Sequence, residues 1–221
     1  MTAPGKIFLL SPANLSGLRA KQMMSARAAF DVALGFRAGT VAIEDAFAFM
    51  SALYFRGKIA YARRFASPPP ESSHKGIFVI APGFGLVPAG WTLDGERMKK
   101  LQKTAVDVRS RNYRRPLQSS CNELAATLPP DAQVILLGSI ATGKYVDIVW
   151  PIFGDRLRFP RNFVGIGDMS RGSLMLKASR SGEELEYAPL DIPRHRPRNG
   201  AAASSALPTG ETGREATGSN R

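Results

Sequence analysis

Three short apolar runs decide most of what this chain can fold into: KIFLL (6–10), GIFVI (76–80) and QVILL (133–137). Each is apolar at consecutive positions, and each runs at once into Ser, Pro or Gly followed by helix-like sequence. Strands of this kind are buried on both faces, as in a parallel sheet covered by helices. Parallel neighbours need crossovers of about a dozen residues or more, and the intervals between these runs are long enough to supply them. The pattern predicts an α/β fold: a single three-layer domain with a mainly parallel central sheet.

Helical periodicity is strongest over 42–66, AIEDAFAFMSALYFRGKIAYARRFA, where Ile43, Phe47, Met50, Tyr54 and Tyr61 form an apolar stripe. Residues 16–36 and 93–108 are further helix candidates. In PLQSSCNELAATL, Leu117, Cys121, Leu124 and Leu128 recur at helical spacing, so the single cysteine reads as a buried structural thiol. SPPPESSHKG (67–76) reads as a loop. The segment 173–190, SLMLKASRSGEELEYAPL, reads as two strands around a turn at 180–183, a C-terminal β-hairpin on the sheet edge.

From Pro193 onward the chain is dominated by Pro, Gly, Ala, Ser, Thr and Arg without apolar period. The expected organisation is an α/β domain over 1–192 and a disordered basic tail over 193–221. No apolar run approaches the roughly 18–20 residues of a membrane span, and IFLL is too short for a signal-peptide core. A cytoplasmic protein with no membrane partner is expected.

Charge narrows the partner. Thirty Lys and Arg face 18 Asp and Glu, a net charge of +12. The tail holds five Arg and two Glu, so +9 stays on the part expected to fold. Such an excess favours a nucleic acid or a nucleotide-like anion, reached through phosphate contacts. The basic candidates are Arg19, Lys21, Arg56, Lys58, Arg63 and Arg64.

Gly138, four residues, Gly143 and Lys144 match the spacing of a phosphate-cradling loop placed after a strand. Tyr145 stands where that loop needs Ser or Thr to hold magnesium, and no later strand offers the second metal ligand. What survives is a strand, a turn and a helix start that present N–H groups to an anion. The other strands end alike, with Ser11, Asn14 and Ser16 after the first and Gly83 and Gly85 after the second. In open α/β sheets ligands sit at such carboxyl ends. The ligand candidates are therefore Ser11, Asn14, Gly83, Gly85, Ser139, Lys144, Tyr145 and Arg171, with Lys144 as an anion contact and Tyr145 as an aromatic wall. Helix capping and simple turning of the chain explain the same serines and glycines equally well.

FVGIGDMSRGSLML (163–176) reads as a glycine-bracketed loop carrying Asp168, Ser170 and Arg171. Asp168 and Ser170 are the candidate catalytic groups, and an Asp168–Arg171 structural pair is the alternative. His74 and His195 lie in a Pro/Ser loop and the tail, so neither a Ser/His/Asp arrangement nor a metal site is expected, and no cofactor is implied.

Four stretches, IFLLSPANLSG, ALYFRGKIAYARRFA, FVIAPGFGLVPAG and VILLGSIATGKYVDIVWP, together resemble the YaaA family of bacterial peroxide-stress proteins across about residues 7–160. The matching positions are Ser11, Pro12 and Ala13, then Gly85 and Pro88, then Ser139 and Tyr145. The resemblance implies an α/β fold, DNA binding and a role in limiting oxidative damage, with no secure catalytic activity. Asn14 stands where the family has Lys, and the family's longer C-terminal pattern is missing. Two functions follow as expectations: nucleic-acid association through phosphates, or an enzyme acting on a nucleotide, nucleoside or modified nucleobase at the strand-end loops.

Overall fold

A computed structural model describes residues 4–72 and 74–190. The three apolar runs are strands, β1 (Lys6–Leu10), β2 (Ile77–Ala81) and β4 (Gln133–Leu137), all mutually parallel where they pair. They share one six-stranded sheet of order β3-β2-β1-β4-β5-β6 with β3 (Gly85–Pro88), β5 (Leu157–Pro160) and β6 (Tyr187–Pro189). β5 is parallel to β4, while β3 and β6 run antiparallel at the two edges.

β1 shows why the runs are apolar throughout. Phe8 and Leu10 enter one core with Ile43, Phe47, Phe55, Tyr61 and Met175, whereas Ile7 and Leu9 enter the other with Tyr113, Leu117, Cys121 and Val149. Successive side chains alternate faces, and both faces are covered. Helices α1 (Leu18–Met24), α2 (Asp31–Ala38), α3 (Ile43–Phe65), α4 (Gly95–Lys103) and α7 (Asp168–Ser181) line the first face. Helices α5 (Arg111–Thr127) and α6 (Val146–Phe153) line the second. Cys121 is fully buried in α5, and burial pushes its thiol up to about 12, so it is an inert structural group.

The C-terminal segment corrects one expectation. An antiparallel edge pair exists, but it joins β5 to β6, and 173–181 is the second half of α7 rather than a strand. Ser173–Ser181 contains no β-branched residue, and Gly182 at φ 77 closes the helix with its N–H on Ala178 O. Asp168, Ser170 and Arg171 accordingly occupy the first turn of α7 and not a loop. The reading of 193–221 as a disordered tail falls outside the described residues.

Helix α3 breaks at Ala52, which sits at φ 46, ψ −119 inside the helical run. A non-glycine residue there costs on the order of 1–3 kcal/mol and persists only when its surroundings enforce it. Helix α7 packs directly against this break. A Cβ on Gly57 would lie 2.6 Å from Gly172 O, and one on Gly172 would lie 2.8 Å from Leu53 O. The two backbones are in direct contact through paired glycines, and this contact fixes where the second half of α3 presents Tyr54 and Lys58.

Candidate functional site

β1 lies between β2 and β4, and the chain leaves β1 toward one neighbour and returns to it from the other side. The crevice at the carboxyl ends of β1 and β4 is thus the topological switch point of the sheet, the place where such folds bind ligands. Ser11 is the first residue beyond β1, and its N–H donates to Leu137 O at the end of β4. Gly138 follows, so close that a Cβ there would meet Ser11 Cβ at 2.9 Å.

Lys58 reaches this point from α3. It donates to Ser11 Oγ at 2.7 Å and to Ser11 O at 3.1 Å, and its ammonium nitrogen stands 3.8 Å over the Tyr54 ring. It is 1 % exposed and Ser11 is 4 % exposed. Among the described residues no carboxylate forms an ion pair with it; the Asp168 carboxylate acts on it from a distance. Burial without a paired charge disfavours the ammonium form, and with the opposed effects of Asp168 and Arg171 the amine is held down to about 7.

Two phenols complete the cluster. Tyr54, one turn before Lys58, keeps its hydroxyl buried beside Arg171, and its own proton finds no acceptor among the described residues. Burial and the Asp168 carboxylate raise its pKa against the pull of Arg171. Tyr145 precedes α6; burial first, with Tyr54 and Asp168 adding to it, pushes its phenol up to about 12 against a contact with the Ser11 side chain. Arg171 holds Asp168 at 3.4 Å and donates to Phe163 O through Nε at 3.2 Å and Nη2 at 2.9 Å. The structural Asp–Arg pair is what forms, and it ties α7 to the preceding loop.

Comparisons of this chain with family models, curated proteins and solved structures find no match.

The strand-end candidates therefore divide. Ser11, Tyr145, Asp168 and Arg171 come together around Lys58, while Asn14 and Ser139 serve local turns: Asn14 Oδ1 accepts from Ser16 N and Oγ, and Ser139 Oγ accepts from Ala141 N. Ser170 is exposed on α7. Gly85 is a packing residue of β3, where a Cβ would lie 2.4 Å from Pro116 O. Lys144 is exposed, its charge a minor addition to the Arg109 hydrogen bonds that depress the Asp107 pKa, and its carbonyl accepts from Tyr113 OH. Beside the loop before α6 the Asp147 carboxylate lies 2.5 Å from where a Gly143 Cβ would stand. An anion there would meet a like charge.

The basic candidates divide too. Lys58 is not a surface contact at all, because its apolar stem runs into the core and its amine serves Ser11. Arg19 and Arg56 line a cavity that also holds Asp31 and Asp45, and Arg63 pairs with Glu44 at 3.0 Å. Lys21 and Arg64 are exposed. The stronger basic feature was not singled out from sequence: a groove of about 590 Å³ between α4 and α5, lined by Lys99, Lys100, Lys103, Arg111 and Arg115 against Glu96 alone, with Gly83 and Thr104 at its base. Beside it Lys100 stands 4.2 Å over the Phe84 ring, Phe84 packs on Trp91 at 5.0 Å, and Arg97 covers Trp91 at 4.5 Å. Among the described residues no group of three or more His, Cys, Asp or Glu is placed to hold a metal, and no helix is long and apolar enough to cross a membrane.

Proposed function

We propose that the protein is a nucleic-acid-associated protein that holds the phosphodiester backbone in the α4–α5 groove. The observation that carries this is the five-to-one excess of cations over carboxylates lining a single open groove. Phosphates gain from closely spaced Lys and Arg because binding releases condensed counterions. The resemblance to the YaaA family points the same way, and we propose distant kinship with it on that basis. Electrophoretic or anisotropy titration with mixed-sequence DNA and RNA at several salt concentrations tests the reading. Each phosphate contact contributes about −0.9 to the slope of log affinity against log salt on duplex DNA. Replacing Lys99, Lys100 and Lys103 by Glu makes the slope shallower by about 2–3. Undetectable binding at low salt, or an unchanged slope in the triple variant, sinks the proposal.

A second reading, an enzyme acting on a nucleotide, nucleoside or modified nucleobase, is favoured by the buried Lys58–Ser11 pair between two tyrosines at the switch point. A thermal-shift panel of nucleotides and nucleobases tests it. A ligand at 100 times its dissociation constant stabilises by about 2.7 kcal/mol, and silence across the panel counts against it.

A further inference from the structure

The Lys58 cluster contains the parts of a nucleophilic site. We propose that Ser11 and Lys58 are a catalytic pair, with Ser11 Oγ as nucleophile and the Lys58 amine as its general base, acting on the carbonyl carbon of an ester or amide. Four observations meet here. Nζ and Oγ are 2.7 Å apart, within the reach required for direct proton transfer. The lysine is buried and forms no ion pair among the described residues, so no contacting carboxylate locks it in the charged form. The serine stands at the carboxyl end of β1 at the switch point, the part of an open α/β sheet at which ligands bind. The Tyr54 hydroxyl is buried and its proton has no acceptor among the described residues, which leaves it to donate to the oxyanion that develops during attack while Arg171 stands on its oxygen side.

The step balances with water as the only co-reactant. Neutral Lys58 takes the Ser11 proton as Oγ bonds to the carbonyl carbon, and the carbonyl oxygen becomes an oxyanion. Collapse breaks the bond to the leaving alcohol or amine, which takes the proton back from Lys58. Water then adds to the acyl-serine, its proton passing through Lys58 to Ser11 Oγ, and the carboxylic acid departs.

The groups that face Lys58 are Tyr54 on its own helix, Ser11 after β1, Tyr145 before α6, and Asp168 and Arg171 on α7. Asp168 favours the ammonium form and Arg171 the amine. With the amine held near 7, the base is available at neutral pH and lost in acid.

The inference rests on the second reading above only for the location of the site. Its test uses no nucleotide: the full chain is treated with a fluorophosphonate, which phosphonylates an activated serine with loss of fluoride, and adducts are mapped by mass spectrometry. The expected result is an adduct on Ser11 whose formation rate rises about tenfold per pH unit in acid and levels off above about pH 7. Lys58→Met and Lys58→Arg reduce that rate at least a hundredfold, and Tyr54→Phe reduces it several-fold. Circular dichroism verifies folding; should Lys58→Met not fold, the wild-type pH profile decides. An unmodified Ser11 in folded protein, a rate without pH dependence, or an unchanged rate in folded Lys58→Met overturns the pair. A nucleotide that shifts the melting temperature while Ser11 stays unmodified keeps the ligand site and removes the dyad.

Discussion

Replacing Gly57 by Ala tests the packing that holds the Lys58 cluster in place. The new Cβ would lie 2.6 Å from Gly172 O and 3.0 Å from Gly172 Cα, where ordinary contact begins at 3.4 Å. The obstruction is backbone and cannot swing aside, so α3 and α7 must separate by about 0.8 Å. Alanine favours the helix by about 1 kcal/mol over glycine, and overpacking of this kind costs up to about 3 kcal/mol. The net expectation is a loss of about 2 kcal/mol, a drop in Tm of roughly 4–8 °C for a domain of this size. Calorimetry and urea denaturation measure it, with Gly95→Ala as control. Gly95 opens α4 with nothing within 4 Å of its would-be Cβ. Gly57→Ala as stable as that control would refute the argument that the glycine pair sets the helix separation.

Three further outcomes follow from named contacts. Because Lys58 is held near 7 and below its ordinary 10.5, the folded chain binds one proton fewer than the unfolded chain between those values. Stability contributed at this position is therefore lowest below about pH 7 and rises by about 1.4 kcal/mol per pH unit above it. Denaturant titrations from pH 6 to 9 should show that rise in wild type and not in Lys58→Met. Tyr61 OH accepts from Leu185 N at 2.9 Å and lies 2.7 Å from Tyr187 OH, which in turn donates to Glu184. Tyr61→Phe strands that amide and should cost about 1–3 kcal/mol by urea denaturation. Gly83→Ala should destabilise the groove end, because φ is +84 and a Cβ would lie 2.7 Å from Thr104 Oγ1; nucleic-acid affinity should fall with it in the same titrations that test the groove.

Local pattern carried the sheet, most of the helices and the inert cysteine, because continuous apolar runs and a 3.6-residue stripe follow from burial on two faces or on one. β1, β2, β4 and the helix at 43–65 stand where that logic puts them. The same logic put Ser11 and Tyr145 at strand ends, since the carboxyl edge of a parallel sheet is where its loops meet, whereas Asp168 and Arg171, read in a glycine-bracketed loop, reach that edge from the first turn of α7. The edge elements were harder. Leu174 and Leu176 mimic strand alternation, and the contact of Gly172 with the backbone of α3 is what packs this segment as a helix. β3 was hidden because four residues after a glycine turn read equally well as loop.

Lys58 marks the boundary between what the chain alone determines and what tertiary structure decides. Its spacing from Tyr54 and Tyr61 puts it on the apolar stripe of its own helix, which was the available signal, yet a lysine among arginines reads as surface charge. Whether such a residue snorkels to solvent or turns inward depends on the acceptor it finds, and that acceptor comes from a strand forty-seven residues away. The groove is a second case: its cations come from α4 and α5, separate segments that converge only when both pack against the sheet. Burial pattern is written in neighbouring residues, whereas the pairing of a buried charge and the summation of an electrostatic field require distances that only the folded chain supplies.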